Sequence, residues 1–185
     1  MGRSRYLVLC TLCEKIYEPT HPHFVTCTIL HWIPIFTRKE SVGIILDTLK
    51  FLQKQEDFKL YAYVILENHL HMVLQSNNLQ KTMESFKKFT ANEILKLLKK
   101  ENVSTLLEQL KFYKKAHKRE KEYQIWEEGY QTKLIQTDAM MKSKIDYIHQ
   151  NPVKRGYVDE AVHWRYSSAK NYEGGDGLIE IERLW

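Results

Sequence analysis

The chain has 185 residues, 43% of them hydrophobic and 28% charged, which is the balance of a globular protein with a buried core. The net charge of +5 permits a polyanionic partner but does not require one. No run of 18 apolar residues is present, the N-terminal apolar stretch is too short for a signal peptide, and three cysteines are too few for a disulfide scaffold. We therefore expect a cytoplasmic protein that makes no contact with a membrane.

The first half of the chain predicts two strands paired as a hairpin, preceded by a strand and a helix. Residues 1–14 are expected to be an irregular segment, and the irregular stretch extends to about residue 20. A strand at about 23–36 is rich in Val, Thr, Ile and Trp, and Ser41 is a plausible N-cap for a helix to about residue 55. Two further strands, at 58–67 and 69–76, are joined by a short turn at Glu67-Asn68.

The second half predicts mainly helices. A long helix is expected at 79–100, a very basic helical piece at 103–122 and a strand at 130–136. Thr137 or Asp138 can cap a last helix, which Pro152 should end near Asn151. This order resembles the split βαβ arrangement of ferredoxin-like and RRM-like folds. The predicted class is α+β, an antiparallel sheet with helices on one face and a C-terminal helix that carries a tyrosine.

Two histidines mark the second strand of the hairpin. His69 and His71 are separated by one residue, so on a strand they project from the same face, while Leu70 and Met72 face the other way. Two imidazoles about 6–7 Å apart can bind one divalent ion. From the spacing alone, two partly buried histidines satisfied by their neighbours are the better interpretation, since two ligands do not make a metal site.

A second pattern lies in the last helix. Tyr147 and Asn151 are one helical turn apart and share a face, whereas Ile145 and Ile148 mark the buried face. Taken alone, Tyr147 is most simply a packing residue and Asn151 a helix stop before Pro152.

The two patterns together resemble the single-tyrosine HUH transposases, and within them the REP-associated tyrosine transposases of bacteria. The shared features are His-x-His on a strand and, some 70 residues later, Tyr-Ile-x-x-Asn-Pro-Val-Lys. Further segments also look like those of the family, in the same order: YAYVILENHLHMVLQS at 61–76, SFKKFTAN at 85–92, IWEEG at 125–129 and YSS at 166–168. The resemblance spans about residues 15–172, which we take as one domain with a basic helical insertion at about 101–122, followed by a tail at 173–185.

The resemblance implies a function and a set of site residues. Tyr147 would be the nucleophile, and His69, His71 and Asn151 would hold Mg²⁺ or Mn²⁺. The enzyme would nick and rejoin single-stranded DNA that carries a hairpin, such as a REP-like palindrome, through a 5′-phosphotyrosine intermediate. The family would place the protein in the bacterial cytoplasm at the nucleoid, and it leaves both a monomer and a homodimer open.

A basic tract lies between the two patterns. Residues 81–121 contain 12 Lys and Arg against five Glu, with Phe86, Phe89, Phe112 and Tyr113 among them. Charge alone fits a solvated helix as well as a nucleic-acid surface. Beside the other motifs, we predict DNA contacts from six residues of this tract: Lys87, Lys88, Lys114, Lys115, Lys118 and Arg119.

Two other functions remain open from the sequence. The chain could be a non-catalytic nucleic-acid-binding module, although the set of histidines, tyrosine and asparagine is complete. It could also be a metal-dependent hydrolase, for which Glu67 is the one candidate to activate water.

Overall fold

A four-stranded antiparallel sheet forms the centre of the computed structural model, which describes residues 21–55, 57–118 and 120–183. The expected irregular segment at 1–14 and Arg119 lie outside these residues. The strands are β1 (His23–Thr28), β2 (Phe58–Ile65), β3 (His69–Ser76) and β4 (Gln131–Leu134). Their order across the sheet is β2-β3-β1-β4, as expected for a split βαβ arrangement, and the predicted α+β class is confirmed.

Helices cover both faces of the sheet. The helices are α1 (Lys39–Leu52), α2 (Leu79–Lys100), α3 (Ser104–Phe112), α4 (Asp138–Lys154) and the short α5 (Ala169–Tyr172), with 3-10 turns at Leu30–Trp32, Ile35–Thr37 and Ala161–His163. Helices α1 and α2 share one core with the sheet, and α4 packs on the opposite face through Met141, Ile145 and Ile148. Among the described residues, no helix combines the length and apolarity needed to cross a bilayer.

Strand β3 lies between β1 and β2, and its alternation sets the direction of every side chain along it. Leu70, Met72 and Leu74 enter the core beneath α1 and α2. His71 is paired with Thr26 on β1 and with Val64 on β2, and it projects toward α4, as does Val73. Because strand side chains alternate with period two, the histidines and the core residues necessarily face opposite ways.

The outer edge of β2 is covered by the chain that follows α4. The backbone N–H of Ile65 donates to the carbonyl of Tyr166 at 2.8 Å, and that of Ser168 donates to Tyr63 at 3.0 Å. The N–H of Glu182 donates to Leu60 at 2.8 Å farther along the same strand. These bonds satisfy backbone groups that a bare edge strand would expose.

The elements of the first half are shorter than the sequence predicts. The strand predicted to reach residue 36 ends at Thr28, because the chain leaves the sheet through the two 3-10 turns around Pro34. The helix predicted at 41–55 runs over 39–52 with Arg38 at its N-cap, and Ser41 is buried in its first turn instead of capping it. The two hairpin strands have close to their predicted bounds, β2 ending two residues early at Ile65.

Two predictions for the second half were wrong in length. Of the described residues in the basic piece predicted to be helical over 103–122, only Ser104–Phe112 form an α-helix. Helix α4 continues through Pro152 to Lys154. Proline in this last turn removes a single helical hydrogen bond, and the side chain of Pro152 is buried. Gly156 has a positive φ, which turns the chain so that the N–H of Tyr157 donates to the carbonyl of Pro152 at 2.9 Å.

Ser168 is predicted to be a stabilising link between β2 and α4. Its Oγ accepts from the N–H of Tyr63 at 3.0 Å and lies 2.9 Å from Nε2 of the buried His149. Ser168→Ala leaves these buried groups without a partner, so we expect the free energy of unfolding to fall by about 1–3 kcal/mol in urea titrations. The matched control Ser143→Ala, exposed on α4, should change it little. Equal effects of the two substitutions would contradict this role.

Candidate active site

The two strand histidines form a buried pair on the face of the sheet that α4 covers. The rings of His69 and His71 have centroids 4.9 Å apart, and the residues are only 2% and 6% exposed. Their proximity follows from the alternation of β3, which the spacing of the sequence predicts.

Neighbouring polar groups fix the orientation of each ring. The side-chain oxygen of Asn68 lies 2.7 Å from Nδ1 of His69 and must accept its proton, which leaves a lone pair on Nε2. The hydroxyl of Thr26 lies 2.8 Å from Nδ1 of His71, and Nε2 of His71 is buried without a hydrogen-bond partner. Contacts of this kind through Nδ1 orient an imidazole whose Nε2 is available to a ligand.

Both histidines are neutral at pH 7. Burial, together with the positive charge of Arg155, lowers the pKa of His69 to about 4 and that of His71 to about 3. Neutral imidazole is the form that binds metal ions.

Helix α4 brings Tyr147 against the histidine pair. The ring of Tyr147 lies 5.2 Å from that of His71 and 5.7 Å from that of Phe24, which itself stacks on His71 at 5.4 Å. Tyr147 is 41% exposed, so its ring is fixed on one side and open to solvent on the other. The Nζ of Lys144, one turn earlier in the helix, is 5.6 Å from the centre of the Tyr147 ring.

Asn151 completes the group, and Arg155 ties it to the strand. Asn151 is 8% exposed, and its side-chain oxygen accepts from Nε of Arg155 at 3.0 Å. The same guanidinium donates through Nη1 to Glu67 Oε1 at 3.0 Å, and its Nη2 lies 3.5 Å from Nε2 of His69. Arg155 therefore links the end of α4 to the start of β3.

The structure brings together four residues that the sequence singles out: His69, His71, Tyr147 and Asn151. Within the described parts of the chain, no group of three or more His, Cys, Asp or Glu side chains could hold a metal ion. The metal ligands that the resemblance implies, two imidazoles and an amide, therefore stay a prediction.

The predicted DNA-contacting lysines lie in a different environment, where most have contacts within the protein. Lys87 donates to the backbone carbonyls of Glu127, at 2.6 Å, and Gly129, whereas Lys88 is exposed on α2. In the loop after α3, Lys114 donates to the carbonyl of Lys118 at 3.0 Å.

Two glutamates neutralise part of the basic tract. Lys115 lies 3.4 Å from Glu127, and Lys118 lies 3.2 Å from Glu128. Hydrogen bonds from His117 and Lys118 lower the pKa of Glu128 to about 2. The local positive charge is thus smaller than the sequence count suggests.

Sequence reasoning missed three residues near the pair: Arg155, Lys144 and Trp32. Arg155 is four residues after Asn151 and Lys144 is three before Tyr147, so helical spacing contains the signal for both. Trp32, whose ring lies 5.3 Å from that of His69, comes from a distant turn and has no local signal.

The buried histidines should make stability depend on pH. Burial also lowers the pKa of His149 to about 4, whereas the unfolded chain has ordinary histidines near 6.5. Because the unfolded state binds more protons below about pH 6.5, the free energy of unfolding should fall as pH drops toward 4, by up to about 1.4 kcal/mol per pH unit for each histidine. Urea unfolding between about pH 7 and pH 5 measures this slope, which His149→Gln should reduce and the exposed His163→Gln should not. A flat profile would contradict the buried neutral state.

Arg155 is predicted to hold α4 on the sheet. Arg155→Met removes its contacts with Asn151, Glu67 and His69, and since the ion pair is partly exposed we expect a loss of about 1–2 kcal/mol in the free energy of unfolding. Lys154→Met removes an equal charge from the neighbouring exposed position and is the matched control. If both variants unfold at the same urea concentration, the contacts of Arg155 contribute nothing specific.

Comparison with known proteins tests the resemblance of the whole chain. No protein-family model matches the chain. Over 111 residues it is 30% identical to a Haemophilus influenzae protein described as a REP-associated tyrosine transposase, an alignment that covers 60% of this chain and 58% of the length of that relative. A solved structure described as a REP-associated tyrosine transposase bound to a REP hairpin matches with a TM-score of 0.60 and 15% identity, covering 100% of this chain and 94% of that one. The second likeness shows the fold, and the resemblance of this chain to the REP-associated tyrosine transposases is confirmed.

Proposed function

We propose that the protein is a REP-associated tyrosine transposase that nicks and rejoins single-stranded DNA carrying a hairpin. The observation that carries the proposal is the position of Tyr147, whose ring lies 5.2 Å from that of His71 on the same face of the sheet as His69 and Asn151. A phenol beside two neutral imidazoles and an amide matches the needs of a phosphodiester transesterification.

The residues of the site fit a divalent cation. The Nε2 of His71 is buried without a partner, and the Nε2 of His69 and the side-chain oxygen of Asn151 both contact the guanidinium of Arg155. All three ligand atoms are neutral, and an ion bound to them would displace the guanidinium of Arg155 from Nε2 of His69. His69, His71 and Asn151 would therefore hold Mg²⁺ or Mn²⁺ and leave its charge uncancelled. A bound ion would supply Lewis-acid polarisation of a phosphate oxygen.

Tyr147 has the chemistry for a reversible strand transfer. Its phenolic oxygen would bond to the phosphorus as the bond from phosphorus to the 3′ oxygen breaks, with the phenolic proton lost to solvent and a proton taken up by the 3′ oxygen. The products would be a 5′-phosphotyrosine and a free 3′-hydroxyl. With a pKa of about 10, a phenol is a better leaving group than a serine hydroxyl, so a 3′-hydroxyl can displace it again without ATP.

Positive charge near Tyr147 suits a phosphate. Lys144 and Arg155 flank the tyrosine and the asparagine. The exposed face of α4 around Tyr147 also carries Lys142 and Lys154. These lysines are better placed to contact a DNA strand at Tyr147 than are Lys115 and Lys118. The charges of Lys115 and Lys118 are balanced by Glu127 and Glu128. The structural relative was solved with a REP hairpin, which supports a hairpin as the substrate of this chain.

The hydrolase alternative is less well supported. Oε1 of Glu67, its candidate base, is held in an ion pair by Arg155, and only the buried Oε2 is without a hydrogen-bond partner. A binding module without catalysis would have no need for the complete set of four residues, and the following experiment separates it from an enzyme.

The tyrosine should become covalently attached to DNA. Incubation with Mn²⁺ and a labelled hairpin that carries single-stranded flanks should give a protein–DNA adduct on denaturing gels. Tyr147→Phe should abolish the adduct because the nucleophilic oxygen is removed, and chelation of the metal by EDTA should abolish it in the native protein. Tyr157→Phe, at another exposed tyrosine, is the matched control and should retain it.

Each remaining outcome favours a different function. An adduct that persists in Tyr147→Phe would overturn the assignment of the nucleophile. Cleavage without any adduct would favour a hydrolase, and binding without cleavage would favour a non-catalytic module.

A further inference from the structure

An exposed tryptophan lies directly beside the histidine pair. Trp32 is 56% exposed, and its ring meets the ring of His69 edge to face at 5.3 Å. An indole has a large apolar surface, and the exposed part of the Trp32 ring contributes no hydrophobic stabilisation to the fold. Its position suggests that something else covers it.

The backbone is strained where it presents this side chain. His31 and Trp32 both have left-handed conformations, with φ of 53° and 57°. Asn102 is the only other non-glycine residue with positive φ in the described ranges, and asparagine tolerates that region. Two successive bulky residues there are strained and persist only where the surroundings fix them.

Specific contacts maintain the strained turn. The side-chain amide of Asn68 donates to the carbonyl of Trp32 at 3.1 Å, while its oxygen holds the ring of His69. The N–H of His31 donates to Glu127 at 3.1 Å, and the ring of His31 stacks on Tyr113 at 3.9 Å. The backbone of Trp32 is thus fixed while its ring remains open, as for a residue preorganised to meet a ligand.

We propose that Trp32 is a stacking platform for an unpaired nucleobase next to the phosphate that Tyr147 attacks, an inference that rests on the proposed function. At 5.3 Å from His69, the indole is within reach of the base adjoining a phosphate held at the histidine pair. Stacking on aromatic faces is how proteins hold single strands with little regard for sequence. The cations at Arg155 and Lys144 favour the phosphate backbone of such a strand over an apolar protein segment.

The aromatic surface continues away from the site. Beyond Trp32, the stacked pair of His31 and Tyr113 leads to Phe112, which is 81% exposed and meets Tyr113 edge to face. These side chains extend the surface toward the exposed loop after α3, so a strand leaving Trp32 would meet further aromatic faces.

Binding of a single strand tests this inference. The probe is a fluorescein-labelled oligothymidylate of about 12 nucleotides, and its affinity for the full chain is measured with Mn²⁺ by fluorescence anisotropy. Trp32→Ala should weaken binding about 5- to 100-fold, whereas Trp32→Phe, which retains an aromatic face, should stay within about 3-fold of the native protein. Phe51→Ala removes a comparably exposed aromatic from α1 and should have no effect.

Two further measurements separate this inference from the proposed function. Tyr147→Phe should bind the probe with the same dependence on Trp32 although it forms no adduct. Trp32→Ala should need a higher concentration of the flanked hairpin than the native protein to form the tyrosine adduct, whereas Phe51→Ala should need the same concentration. Equal affinities of Trp32→Ala and the native protein for the probe, or no binding by the native protein, would overturn the stacking role. A complete absence of adduct in every variant would instead count against the proposed function and leave a Trp32-dependent affinity standing.

Discussion

The alternation of a single central strand underlies both the fold and the candidate site. Strand β3 is hydrogen-bonded on both sides, so its register cannot slip without disrupting two ladders. Leu70, Met72 and Leu74 commit one face to the core beneath α1 and α2. His69 and His71 must then face α4, and the packing of this helix brings Tyr147 and Asn151 to them. The burial of three apolar residues thereby fixes the position of two polar ones.

Burial determines the chemistry of the pair as well as its position. The histidines are surrounded by aromatic rings and by α4, which makes protonation unfavourable and lowers the pKa values of both. Arg155 places a positive charge beside the histidine pair, and its ion pair with Glu67 balances that charge. Neutral nitrogens leave the charge of a bound divalent ion uncancelled, and the fixed cation beside them attracts a phosphate. This arrangement agrees with the proposed reaction at Tyr147.

The fold and the four central residues were predictable because their signals are local. Period-two and helical spacing place His69 with His71 and Tyr147 with Asn151, and the resemblance to a known family joins the two pairs. The ends of the elements were predicted less well. The end of β1 was missed because the sequence stays apolar at Ile29 and Leu30, just after the chain leaves the sheet. The end of α4 was placed too early because packing and the turn at Gly156 accommodate Pro152 within the helix. The contacts of Trp32, and the glutamates that neutralise Lys115 and Lys118, are long-range or depend on loop conformation, so no sequence pattern indicates them.

We propose that His69, His71 and Asn151 hold one divalent ion beside Tyr147. Pulsed electron paramagnetic resonance of bound Mn²⁺ tests it directly, since histidine nitrogens that coordinate the ion modulate its spin echo. We expect coupling to two imidazole nitrogens in the native protein and in Tyr147→Phe, and to one in His71→Gln. Absence of nitrogen coupling, or coupling that His71→Gln leaves unchanged, would contradict it.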